Sequence, residues 1–208
     1  MLLELEDSQL VLVDYQTRLM PAISDGPAVL ANAMRLARMA QLLKVPVWAT
    51  EENPSAMGPN VPELQALIVQ AGGKTFPKMQ FSAVEEGLGE MLRPEQPQRV
   101  PQGNARSLPK HLQKPAAAAP GQRNTVVMAG CEAHVCLLQT ALDLLEDEFD
   151  VWVVTDACGS RTERNRDAAF DRLAGAGAEL VTTEMVAFEW LRTAEHPAFK
   201  DVLALVKS

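Results

Sequence analysis

Four stretches of this chain are apolar at successive positions rather than alternate ones: QLVLVD at 9–14, VPVWAT at 45–50, NTVVMAG at 124–130 and FDVWVVTD at 149–156. Short, unbroken, Val-rich runs predict strands covered on both faces, the pattern of a parallel sheet. Between them the apolar positions switch to a helical period. Residues 27–43 open on Pro27, which suits a first helical turn, and place Leu30, Met34, Ala37, Ala40 and Leu43 at helical spacing. VCLLQTALDLLE at 135–146 and RNRDAAFDRLA at 164–174 repeat the pattern, and Pro197 precedes Phe199, Val202, Leu203 and Val206 in a last one-sided helix. Strands alternating with helices predict one three-layer α/β/α domain around a parallel sheet.

Residues 94–123 break that rhythm. They hold Pro94, Pro97, Pro101, Pro109, Pro115 and Pro120, six of the 14 prolines, and carry Arg99, Arg106, Lys110, Lys114 and Arg123 against Glu95 alone. A proline-rich basic stretch of this length reads as a flexible insertion, a subunit contact or a ligand-facing lid within the single domain 1–208. Its charge is set against an acidic body, since the 208-residue chain as a whole has a formal charge of −8. Such a balance argues against sequence-independent adhesion to nucleic acid or anionic membrane. Hydrophobic residues at 47% and charged residues at 22% exclude wholesale disorder. The three cysteines, Cys131, Cys136 and Cys158, fit reduced thiols. The start, MLLELEDSQLVLVD, has neither the basic, apolar pattern of a signal peptide nor the Arg-rich one of a mitochondrial presequence, which sets the cytoplasm as the expected compartment.

In doubly wound sheets ligands bind beyond the carboxyl ends of the strands, where the strand order reverses. With the order 3-2-1-4-5-6, the first strand and the run at 124–130 are neighbours at that point. Asp14, closing the first strand, then faces Cys136 in the GCEAHVC loop across one crevice. Asp14 reads as a base or as a solvated cap. Cys136, ahead of a long helical pattern, reads as a thiol with a lowered pKa or as a small residue packing a helix start. GGKTFPKMQFSA at 72–83 offers both Lys74 and Lys78, and spacing does not choose between them. His134 is a conceivable partner for Cys136, and Tyr15, Trp48, Phe81 and His134 are candidates to line a pocket. No paired Cys or His spacing points to a metal, and no Gly-rich loop follows the first strand, where YQTRLMP stands, so neither metal nor other cofactor is expected.

LVLVDYQTRLMPAI, KTFPKMQFSA, AGCEAHVCLLQTALDLLE and VVTDACGSRT together resemble the isochorismatase-like cysteine hydrolases, in the family's order and over nearly the whole chain except 94–123. The GCEAHVC…TALDLL run is the most specific element and is closest to the isochorismatase-domain-containing branch. The resemblance implies a Rossmann-like six-stranded parallel sheet and a catalytic triad of Asp14, Lys78 and Cys136. It also implies a cis peptide at Glu132–Ala133, whose turn, with Cys136, aims backbone N–H groups at an oxyanion. The activity it implies is hydrolysis of an amide or carbamoyl C–N bond in a small-molecule substrate, by a protein that assembles as a homo-oligomer. Two departures narrow it further. Cys136 argues against vinyl-ether cleavage, and TEENPSAMGPNVPEL has no histidine where nicotinamidases carry a metal cluster. Two other functions stand beside this one. Trypanosomatid members of the branch are labelled as a mitochondrial-associated ribonuclease, which also admits mitochondria as the compartment. A redox role would use Cys136 as sensor with Cys131 or Cys158 as its resolving partner.

Overall fold

The computed structural model describes residues 2–94 and 123–207. The segment expected as an insertion, 94–123, lies outside the described residues but for Pro94 and Arg123. Six strands, β1 (Ser8–Val13), β2 (Val47–Glu52), β3 (Lys74–Lys78), β4 (Thr125–Gly130), β5 (Asp150–Val154) and β6 (Glu179–Val181), form one parallel sheet in the order β3-β2-β1-β4-β5-β6. This is the expected fold. Every residue of the central strands β1 and β4 is buried, which is why their sequences read as continuous apolar runs.

The helices are α1 (Gly26–Leu43), α2 (Pro54–Met57), α3 (Pro62–Gln70), α4 (Leu88–Leu92), α5 (Leu138–Glu146), α6 (Glu163–Ala176), α7 (Thr183–Leu191) and α8 (Phe199–Val206). From β1 the chain steps outward one way through β2 and β3, and from β4 it steps the other way through β5 and β6. Right-handed crossovers therefore lay α1 and α3 on one face and α5 and α6 on the other. The packing agrees: α1 meets α3, α7 and α8, whereas α5 meets α6. On α1 the buried face runs through Val29, Ala33, Leu36, Ala37 and Ala40, with the expected Leu30, Met34 and Leu43 on its border. Thr162 and Thr182 cap α6 and α7 by accepting from the N–H groups of Asn165 and Met185.

At the strand-order reversal β1 and β4 run closely side by side, with Val13 opposite Gly130. A Cβ on Gly130 would lie 2.5 Å from both the Cβ and the carbonyl oxygen of Val13, so only glycine fits. Immediately beyond, Asp14 takes a left-handed conformation (φ 55°) that turns the chain out of the sheet. At the opposite, amino end of β1, Gln9 Nε2 donates to the carbonyls of both Leu92 (3.0 Å) and Arg123 (3.1 Å), so the chain leaves and re-enters the described body at one place. Among the described residues no helix is long and apolar enough to cross a membrane.

Candidate active site

Four neighbouring strands each deliver one chemistry-bearing side chain to the carboxyl edge of the sheet. Lys78 is the last residue of β3, Glu52 the last of β2, Asp14 follows β1, and Cys136 follows β4. The register that pairs Glu52 with Lys78 and Val13 with Thr50 brings the ends level. Between β4 and α5 the chain forms one π-helical turn, Ala133–Leu137, with Cys136 inside it.

The Asp14 carboxylate and the Lys78 side chain are completely buried and lie 2.8 Å apart through Oδ2 and Nζ. Asp14 Oδ1 accepts from Thr50 Oγ1 at 2.6 Å and from the Glu52 N–H at 3.1 Å. Lys78 Nζ also donates to Glu52 Oε2 at 2.8 Å and to the carbonyls of Gln80 and Phe81 at 3.3 and 3.2 Å. A buried ammonium is tolerable only with this much compensation. Burial alone would lower its pKa, but the Asp14 charge, with the hydrogen bonds to Asp14 and Glu52, leaves it raised and the lysine charged.

Cys136 Sγ, the Asp14 carboxylate and the Glu52 carboxylate lie within 4.8 Å of one another. This is a donor set that a divalent cation could share, yet Lys78 Nζ stands 2.8 Å from both carboxylates and already supplies the positive charge there. Burial and then the Asp14 anion push the Cys136 thiol well above its ordinary range, outweighing the opposite pull of Lys78. Of the two readings of Cys136, the thiol with a lowered pKa at a helix start is therefore not what the site favours. Cys136 sits in a π turn within 4.8 Å of two carboxylates, and the loss of water and then their charge dominate.

In front of these groups opens a cavity of about 260 Å³, lined by Asp14, Gln16, Glu52, Glu132, Cys136 and apolar side chains including Leu19, Met57, Phe81 and Val135. Of the candidate pocket residues, Phe81 is on this wall. Tyr15 is not: it is wholly buried and donates its hydroxyl to the Ala157 carbonyl. Trp48 sits in the body of β2, bonding Gln9 Oε1 and lying under Lys74, well short of the strand's carboxyl end. His134 turns toward the α6 side, with Nδ1 3.0 Å from Ser160 Oγ and Nε2 3.3 Å from Asn165 Nδ2, so it does not pair with Cys136.

The turn ahead of Cys136 also differs from expectation. The non-proline cis bond is Cys131–Glu132, one bond earlier than Glu132–Ala133. Cys131 still prolongs β4, donating to Val13 O and bridging to Gly159, so the chain changes direction only after it. The Ala133 N–H then donates to Gly159 O at 2.7 Å and is turned away from the cavity. Glu132 does reach the cavity wall, held by Arg161, whose N–H and Nε bond its carboxylate at 2.8–3.1 Å.

Glu52 and Gln16 were missed in the sequence. Gln16 locks the end of β2, donating to the Glu52 and Gly58 carbonyls and accepting from the Glu52 N–H. Glu52 is one of two successive acids at the end of an apolar run, and sequence alone does not say which of Glu51 and Glu52 faces inward.

With this geometry in hand, comparison with known proteins gives consistent matches. Residues 112–185 match the isochorismatase domain family. The chain is 34% identical over 202 residues to mouse isochorismatase domain-containing protein 2A, covering 97% of this chain and 84% of the mouse protein. The structure resembles a protein described as MAR1 ribonuclease from Caenorhabditis elegans, with TM-score 0.82 and 28% identity over 100% of this chain and 93% of that one. It also resembles the ycaC gene product of Escherichia coli, described as an octameric hydrolase of unknown specificity, with TM-score 0.74 and 26% identity over 99% and 96% of the two chains.

Proposed function

The chain belongs to the isochorismatase domain family, and from that premise we propose that it is a cysteine hydrolase that cleaves an amide or carbamoyl C–N bond of a small molecule through an acyl-thioester on Cys136. The observation that carries this reading is the buried Asp14–Lys78 pair set beside the thiol at the floor of a cavity. Because the resting thiol is protonated, attack and proton transfer belong together. Asp14 takes the thiol proton as Sγ bonds to the substrate carbonyl carbon, and Lys78 keeps the carboxylate in place throughout. The tetrahedral oxyanion is met by backbone N–H groups of the turn carrying Cys136, and Ala133 is not among them, since its N–H is committed to Gly159. On collapse the C–N bond breaks and the amine leaves with the Asp14 proton. Asp14 then draws a proton from water as its oxygen attacks the thioester, the C–S bond breaks, the acid departs and the thiol is reprotonated. One water is consumed, and no other reactant is needed.

The ribonuclease reading has less support. That activity is named for the nematode neighbour, and the basic stretch 94–123, which nucleic acid would favour, lies outside the described residues but for Pro94 and Arg123. The redox reading would need a second thiol to reach Cys136, while Cys131 and Cys158 are buried as free thiols. Homo-oligomer formation is part of the proposal: exposed Met79 and Phe81 near the cavity mouth are apolar surface that a second copy would cover.

The test is release of ammonia or amine from a panel of small amides and carbamoyl compounds by wild type, Cys136→Ala and Asp14→Asn. Turnover by wild type should fall at least about 100-fold in either variant. Turnover that survives in Cys136→Ala would overturn the acyl-enzyme.

A further inference from the structure

The charges around the cavity are one-sided. Asp14, Glu52 and Glu132 all contribute to its wall. None of the three nearby cations does: Arg18, whose Nη1 donates to the Ala56 carbonyl at 2.6 Å, is absent from the wall, as are Lys78 and Arg161. Lys78 is buried behind the wall, and its ammonium is fully engaged by Asp14, Glu52 and the Gln80 and Phe81 carbonyls. Arg161 meets Glu132 through Nε and its backbone N–H, its side chain 62% exposed and not part of the cavity wall. Among the described residues, then, no cation faces the cavity. Glu52 is the most telling of the three acids. Its Oε2 holds Lys78, whereas among the described residues no group donates to its Oε1, although the side chain is only 16% exposed. An anionic acceptor on a cavity wall with an oxygen to spare is a place for an N–H donor.

We propose that this pocket selects small uncharged or amine-bearing substrates and excludes carboxylates, with Glu52 Oε1 as the specificity-determining acceptor for a substrate N–H. The inference rests on the reading of the cavity as the active site. A substrate carboxylate would enter a cavity whose wall carries three acids and no cation, and would lose water beside Leu19, Met57, Phe81 and Val135. An amide NH2 or an ammonium loses the same water but recovers a charge-assisted hydrogen bond. Discrimination thus comes from a repulsive element as much as an attractive one.

The test uses Cys136 as its own probe. Iodoacetamide and iodoacetate are nearly the same size and differ in charge, and 2-bromoethylamine supplies a cationic arm. Their rates at Cys136 in the full-length protein at pH 8, read by peptide mass spectrometry, are divided by their rates with N-acetylcysteine amide. The normalised preference for iodoacetamide over iodoacetate should be roughly tenfold or more. 2-Bromoethylamine should be no worse than iodoacetamide, and Glu52→Gln should cut the iodoacetamide preference at least about threefold. If Glu52→Gln does not fold, Glu52→Met provides the same comparison, and the wild-type ratio is decisive without either. Equal normalised rates, or faster iodoacetate, would overturn the proposal, as would an unchanged ratio in a folded Glu52 variant. The outcome is separable from that of the hydrolase reading: alkylation needs no turnover, so a lost charge preference leaves C–N hydrolysis standing, and absent amide turnover leaves the charge preference standing.

Discussion

Cys136 is governed by burial and by two charges it does not own. Burial and the Asp14 anion raise its pKa, and the Lys78 ammonium opposes them. The signs give an ordered set of outcomes for the pH dependence of iodoacetamide labelling, which follows the thiolate. In wild type the rate should still be climbing above pH 9, where an ordinary thiol with a midpoint of about 8.5 has begun to level off. Lys78→Met removes the one stabilising cation and should move the midpoint further up. Asp14→Asn removes an anion and should move it down. Asp14→Asn would therefore have the more reactive thiol at neutral pH and yet lose hydrolysis, which separates a proton-transferring Asp14 from one that merely tunes charge. A midpoint that stays where it was in Lys78→Met would show that the ammonium does not act on the sulfur.

At the level of elements, the sequence was most legible where an element is buried all round. The runs at 9–14, 45–50, 124–130 and 149–156 correspond to β1, β2, β4 and β5, because a central strand has no polar face to interrupt its pattern. The two edge strands leave no such trace. β3 reads KTFPK with only Lys78 buried and β6 is ELV with only Val181 buried, so both are too polar or too short to announce themselves. Pro77 is allowed in β3 because that strand has a free edge. Asp14 and Cys136 could be placed across from each other by strand order alone, but choosing Lys78 over Lys74 took the family resemblance, and in the structure the two stand at opposite ends of β3. The π turn escaped detection because its residues, AHVCL, carry on the periodic pattern of α5. The contact between β1 and β4 is the element-level feature most exposed to mutation. Gly130→Ala would push a methyl into Val13 and should cost about 1–3 kcal/mol, seen as a lower urea midpoint with an unchanged slope. A variant of unaltered stability would mean the strands can part at no cost.

On the scale of the whole molecule, the candidate site lies at the carboxyl end of the sheet, whereas the described residues flanking the proline-rich stretch meet at the amino end. Both of its flanking carbonyls, on Leu92 and Arg123, are held by one amide nitrogen of Gln9. In topological terms the described chain on either side of residues 95–122 is tied together at one neck, and the six-stranded order of the described residues is complete without them. Length at that neck is thermodynamically cheap, since each halving of a flexible loop changes its closure cost by only about 0.6 kcal/mol. Replacing 96–120 with a short Gly-Ser linker should therefore give a protein whose melting temperature is unchanged or slightly higher and whose Cys136 labelling profile matches wild type. A changed profile would mean that the stretch reaches round to the opposite end. Tied in this way, the neck is a junction where chain should be open to addition, shortening or exchange as cargo while the edge that carries Asp14, Glu52, Lys78 and Cys136 stays as it is.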